Sequence, residues 1–188
     1  TGRQSEARST LTHLATEEQK LRSLLEELEE NRRRNEREIG VATTSTLTTS
    51  DLGNLDWPLD GDILYQFGPQ REANTTIPRE GLGIRAERGS PVHAVDIGTV
   101  GSVVARSSGQ TVILNHGGGF YSSYQRLQNV TVTQSQRVEQ GQIIGYVGGD
   151  STNPYIEFQI YEPSSTGPRA VDPVRWLQNR TRANDRNE

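Results

Sequence analysis

The chain has 188 residues, a hydrophobic fraction of 31% and a formal net charge of −4. That allows one domain of ordinary size plus an appendage, and the interleaved charge gives no basic patch for nucleic acid. Without a cysteine, the chain has no disulfides, thiolate metal sites or thiol nucleophiles. No stretch approaches the roughly 20 apolar residues of a membrane span, and no signal peptide is visible. A start at Thr1 with no methionine anywhere suggests a fragment or processed form, which leaves room for a targeting segment ahead of it.

In chain order, residues 1–40 read as a coiled-coil helix. Leu11, Leu14, Leu21, Leu25 and Leu28 recur at alternating spacings of three and four, with Ile39 in frame. So narrow a stripe is a helix-pairing seam rather than a broad core face. Glu18, Arg32 and Asn35 interrupt it. Glu18–Arg22, Glu29–Arg33 and Glu30–Arg34 are i,i+4 pairs in the favourable order. Gly40 is a candidate C-terminal cap. Residues 41–56, rich in Thr, Ser, Asp and Gly, read as a linker or groove-docking segment; Val41, Leu47, Leu52 and Leu55 are their sparse apolar points.

The aromatics all fall after Asp56, and the pattern changes there. Asp62–Phe67, Pro91–Val95, Thr99–Ala105, Thr111–Asn115, Phe120–Arg126, Ile143–Val147 and Tyr155–Tyr161 read as strands. They are β-branched or aromatic and bounded by turn residues. Such short strands at this spacing predict a mainly β, antiparallel sandwich over residues 57–178, with 179–188 as a disordered polar tail.

Several segments recur in a recognisable order. Trp57-Pro58-Leu59-Asp60-Gly61 and Phe67-Gly68 open the domain. Gly89-Ser90-Pro91-Val92-His93-Ala94-Val95 precedes Gly98-Thr99-Val100, and Asn115-His116-Gly117 precedes Tyr121-Ser122-Ser123-Tyr124. Val138, Gly141-Gln142, Ile144-Gly145 and Gly148 follow, and Val171-Asp172-Pro173 with Trp176-Leu177 closes the set. Together they resemble the lysostaphin/LytM family of zinc endopeptidases, which cleave peptidoglycan cross-bridges. The resemblance implies a LytM-like β-sandwich.

A catalytic zinc needs about three protein ligands and one open position for water. The resemblance places the first ligand His at Gly81, the ligand Asp at Arg85 and the third ligand at Glu157. The two catalytic histidines fall at Tyr155 and Arg126. None of the five side chains is retained, so no metal, no cofactor and no peptidase activity are expected. An Arg85–Glu157 salt bridge is expected across the former metal cavity. His13, His93 and His116 lack partners at metal-binding spacing and read as structural or surface residues. Neither Asp60 with Asp62 nor Glu80 with Glu87 is marked as an acid/base pair.

A coiled coil before a LytM domain without ligands resembles the murein hydrolase activators of the EnvC type, in "W-P-L-x-G-x-I", "G-L-G-I-x-A" and "Y-I-E-F-Q-I". That resemblance implies a non-catalytic, extracytoplasmic regulator of the cell envelope. In it, the groove takes a helix of a cell-wall amidase, and the coiled coil engages an FtsEX-like membrane complex at the division site. Peptidoglycan is a further possible partner. The expected partner-binding residues are Arg85, Tyr124, Arg126, Tyr155 and Glu157, since Tyr and Arg are favoured interface anchors. Two alternatives compete: a metalloendopeptidase with an unrecognised site, and a passive peptidoglycan-binding scaffold. Two departures stand out: Phe158-Gln159-Ile160-Tyr161 replaces "F-E-I-R", and Arg71–Arg79 reads as a variable loop over the groove.

Overall fold

The β-branched and aromatic runs form strands, and the leucine stripe forms a helix. A computed structural model describes residues 2–39 and 46–180. Helix α1 (Gly2–Ile39) comes first. The strands are β1 (Asp62–Tyr65), β2 (Gly68–Glu72), β3 (Thr75–Arg79), β4 (Leu82–Arg85), β5 (Pro91–His93), β6 (Gly98–Arg106), β7 (Gly109–Asn115), β8 (Tyr121–Gln128), β9 (Arg137–Val138), β10 (Ile143–Val147), β11 (Tyr155–Ser164) and β12 (Gly167–Val171). The main sheet runs β1-β4-β11-β8-β7-β6-β9, with β12 on β11 and β5 joined through β10. Every strand pairing is antiparallel.

Alternation along the central strands divides the sheet into two faces. Val112 and Leu114 of β7, and Ile156, Phe158 and Ile160 of β11, enter the main core with Leu82, Ile84, Val92 and Ile144. Ile113, Tyr121 and Tyr161 point the other way and form a second cluster with Leu21 and Leu25 of α1. The sheet is therefore buried on both sides, by its own core and by the helix.

This corrects the coiled-coil reading of residues 1–40. Among the described residues there is no second α-helix to pair with α1. The apolar stripe packs on the sheet instead, with Leu21 2% and Leu25 1% exposed. Both arrangements bury one narrow face, so spacing alone did not separate them. Glu29–Arg33 at 2.9 Å and Glu30–Arg34 at 3.3 Å form as expected. Glu18 and Arg22 do not pair: Arg22 reaches Glu80 at 3.0 Å, and Glu18 faces the sheet. Gly40, Val41 and the side chain of Ile39 lie outside the described residues.

The stretch Arg71–Arg79, read as a loop, is largely the hairpin β2–β3, paired from Gly68↔Arg79 to Glu72↔Thr75. Its Ile77 is fully buried, and α1 approaches β3. From Thr46 onward the segment before Trp57 lies on the β body. Thr46 N–H donates to the His116 carbonyl, Leu47 and Leu55 enter the main core, and Leu55 bridges Leu177. At the other end Arg180 donates to the carbonyls of Leu59 and Gly61 and stacks on Trp57. The rest of the expected tail, residues 181–188, lies outside the described residues.

Candidate functional site

The sheet face turned away from the main core carries the positions at which the resemblance places the zinc site. Strand β11 contributes Tyr155, Glu157, Gln159 and Tyr161 at alternate residues. Register sets Tyr155 opposite Arg85 and Glu157 opposite Gly83 on β4. On the other side Glu157 faces Gln125, and Gln159 faces Ser123, on β8.

The residues at these positions do not fit a zinc ion. A Cβ on Gly81 would stand 2.6 Å from Gln159 Cγ and 2.8 Å from the Phe158 carbonyl oxygen, so this position has no room for an imidazole. Above Gly83 lies the ring of Tyr65, which a Cβ there would meet at 2.5 Å. The ring is held by its hydroxyl, which donates to Glu157 at 2.5 Å, and by the Arg79 guanidinium, 4.2 Å from its centroid. Among the described residues no group of three or more His, Asp or Glu side chains is arranged to hold a metal. The metal cavity of the resemblance is closed by an aromatic ring and a hydrogen-bonded carboxyl.

Gln159 is the hub of what replaces it. Its Nε2 donates to Glu157 at 2.9 Å and to Glu18 of α1 at 3.2 Å. Its Oε1 accepts from Gln125 Nε2 at 2.9 Å and from the Tyr161 hydroxyl at 2.8 Å. All four hydrogen-bonding capacities of this buried amide are used. Burial pushes the Glu157 carboxyl up despite the Tyr65 hydroxyl and the Arg79 and Arg126 charges. Burial, with Glu157 and Glu80 nearby, pushes Glu18 up to about 9. Burial also raises the Tyr65 and Tyr161 phenols, as do the neighbouring carboxylates.

The expected binding residues divide. Arg85, Arg126, Tyr155 and Glu157 lie on or beside this face, although the Arg85–Glu157 ion pair is not formed. Arg85 is exposed and its Nε donates to Asn153 at 3.1 Å, while Glu157 is buried and satisfied by Tyr65 and Gln159. Arg126 stacks on Tyr155, 4.0 Å from the ring centroid. It sits in a bulge, because Val112↔Tyr124 and Gln110↔Leu127 leave Gln125 and Arg126 opposite Thr111 alone. Its φ of 68° is left-handed, a conformation uncommon for a residue with a side chain.

Tyr124 does not join them. Three residues from Tyr121, it points to the opposite face and is fully buried in the main core, where its hydroxyl accepts from Val95 N–H at 3.0 Å. His116 is buried too, its Nδ1 2.7 Å from the Ile97 carbonyl oxygen and its Nε2 2.8 Å from the Ser122 hydroxyl. Burial lowers its pKa, which suits a neutral structural imidazole. His93 bonds the Gly141 carbonyl. The resemblance named neither Gln159 nor Glu18 as a functional residue. Each had a sequence signal: Gln159 breaks the "F-E-I-R" ending, and Glu18 interrupts the leucine stripe.

The peptidase family M23 model matches residues 78–173, just over half of the chain. The cell division protein DipM of Caulobacter vibrioides is 33% identical over 142 residues, covering 72% of this chain and 23% of DipM. The murein hydrolase activator NlpD of Salmonella typhimurium is 26% identical over 140 residues, covering 73% of this chain and 35% of NlpD. The chain therefore spans only about a quarter to a third of these relatives' length. A putative M23 peptidase of Pseudomonas aeruginosa superposes with a TM-score of 0.56 at 25% identity, over 77% of this chain and 61% of the other. The chain belongs to peptidase family M23 and is related to a cell division protein and to a murein hydrolase activator.

Proposed function

We propose that this chain is a non-catalytic regulator that binds and activates an N-acetylmuramoyl-L-alanine amidase during cell division, in the manner of an EnvC-type activator. The observation that carries this reading is the filled metal cavity. Tyr65 lies over Gly83, and Gly81 has no space for a ligand side chain, so the face has shape and polar anchors but no centre for hydrolysis. The kinship with proteins named for cell division and for murein hydrolase activation supports the same reading. The partner is a helix of the amidase. Arg85, Arg126 and Tyr155 supply its contacts, with the Arg126–Tyr155 stack as the anchor pair, and the buried Glu157 supports the face from beneath. An FtsEX-like membrane complex engages the helical N-terminal region, peptidoglycan is a further partner, and the site of action is extracytoplasmic.

Titration of the full chain with the amidase tests this. Tyr155→Ala and Arg126→Glu are expected to weaken binding at least tenfold, about 1.4 kcal/mol, with little change in the unfolding midpoint. Unchanged affinity in both variants would remove this face as the partner site.

A further inference from the structure

Two carboxyl groups meet across the contact between α1 and the sheet. Glu18 Oε1 and Glu157 Oε1 accept from the same Gln159 amide nitrogen, at 3.2 and 2.9 Å. Glu18 Oε2 is buried with no hydrogen-bond partner, and Glu157 is 7% exposed. Two ionised carboxylates this close, away from water, repel strongly, so one of them keeps a proton. The surroundings indicate which. Glu157 accepts from two donors, Tyr65 and Gln159, and lies in the fields of Arg79 and Arg126. Glu18 accepts from Gln159 alone. The proton belongs on Glu18.

We propose that α1 is a proton-dependent latch over the former catalytic face: Glu18 and Glu157 hold one proton between them while the helix is docked, and the helix leaves the face as that proton is lost. The consequence, a face opened to a partner, rests on the partner-binding reading; the latch itself does not. From the sheet, Glu157 and the Tyr161 phenol face Glu18 directly. Glu80, between β3 and β4, lies close as a third acid and is bonded to Arg22 of α1. Arg79 of β3 is committed to Glu72 and the Tyr65 ring, and Arg126 of β8 to the Tyr155 ring. On the helix, Glu17 is turned to Arg106 of β6 and to Lys20. Thus neither Glu18 nor Glu157 has a direct ion pair, and a proton is the remaining way to neutralise their repulsion.

The sign follows from linkage. Burial in the docked state pushes Glu18 up to about 9 from the ordinary 4.5. A raised value means that docking takes up a proton. The stabilisation is complete below pH 4.5, falls about tenfold per pH unit above it, and is gone once the pH passes about 9.

Hydrogen exchange on the full chain tests this without any partner. The amides of Glu18–Glu29 are followed from pH 6 to pH 8, after correction for intrinsic exchange, with the β7 amides as a report on the body of the fold. In the wild type, helix protection is expected to fall about tenfold per pH unit while β7 protection holds. Glu18→Gln, which keeps the shape and removes the charge, is expected to flatten the helix slope. Glu157→Gln, which removes the facing charge but leaves Glu18 buried, is expected to reduce the slope without abolishing it. A wild-type slope retained in both variants overturns the latch, and so does a wild-type helix whose protection does not depend on pH. Failure of the partner-binding reading would look different: amidase affinity indifferent to Tyr155→Ala, with the exchange slopes as described.

Discussion

At position 81 the chain has no side chain, and the surrounding strand leaves no space for one. A β-carbon there would press on the Phe158 carbonyl, which is sheet backbone and cannot turn aside. Gly81→Ala is expected to destabilise the fold by about 1–3 kcal/mol, the usual cost of overpacking, measured by denaturant unfolding. A loss below about 0.5 kcal/mol, the range of an ordinary surface substitution, would mean that the site has slack for a ligand after all. The replacement of all five functional side chains is what the resemblance implies, since each falls at one of its motif positions. The closure of the cavity was not. It depends on Tyr65, whose ring reaches Gly83 across the β1–β4 pairing. Nor was the direction of Tyr124 legible. Alternation gives its face only relative to a neighbour of known burial, and Tyr121 is buried on the opposite face, beneath α1.

At the scale of elements, the helix covers the sheet face opposite the main core. Leu21 and Leu25 sit on Ile113, Tyr121 and Tyr161, while Leu28 reaches toward Gly101. Polar contacts flank this apolar strip: Arg106 to Glu17 at 2.9 Å, and the Tyr121 hydroxyl to Glu29 at 3.0 Å. Burial alone would raise Glu29, but its bonds from Arg32, Arg33 and Tyr121 outweigh burial and hold it low. Leu25→Ala removes a fully buried side chain from the helix contact alone. It is expected to weaken docking by about 2–5 kcal/mol, seen as lost amide protection along α1 with β7 protection retained. Equal loss in both would mean that the helix is an inseparable part of the core. The existence of the helix and its apolar stripe was readable from leucine spacing. Its partner was not, because a sheet and a second helix both accept a narrow stripe. The interruptions carried that information: Glu18 is where the stripe crosses the polar network, a place a coiled-coil seam would not tolerate easily.

Taken whole, the molecule joins one M23 β body to a helix that lies over the sheet face opposite its main core. The body begins earlier than composition suggested. Leu47 is 1% exposed in the main core although its neighbours read as linker. Leu47→Ala is expected to lower global stability by about 2–5 kcal/mol in a denaturant titration, and no loss would return residues 46–56 to the role of a tether. Seven of the strands and their antiparallel class were legible because turn residues bound each run. The short β9, and β4 and β12 with their Gly and Pro, gave too little apolar signal to be seen. The central claim is that this face recognises a partner and does not cut. It is tested most directly by dye release from labelled sacculi, with the full chain carrying Leu25→Ala so that the face is open, with and without the amidase and with zinc supplied throughout. The expected result is no release by the chain alone and faster release when it is added to the amidase. Release by the chain alone in the presence of zinc, or an amidase rate that the chain leaves unchanged, would contradict it.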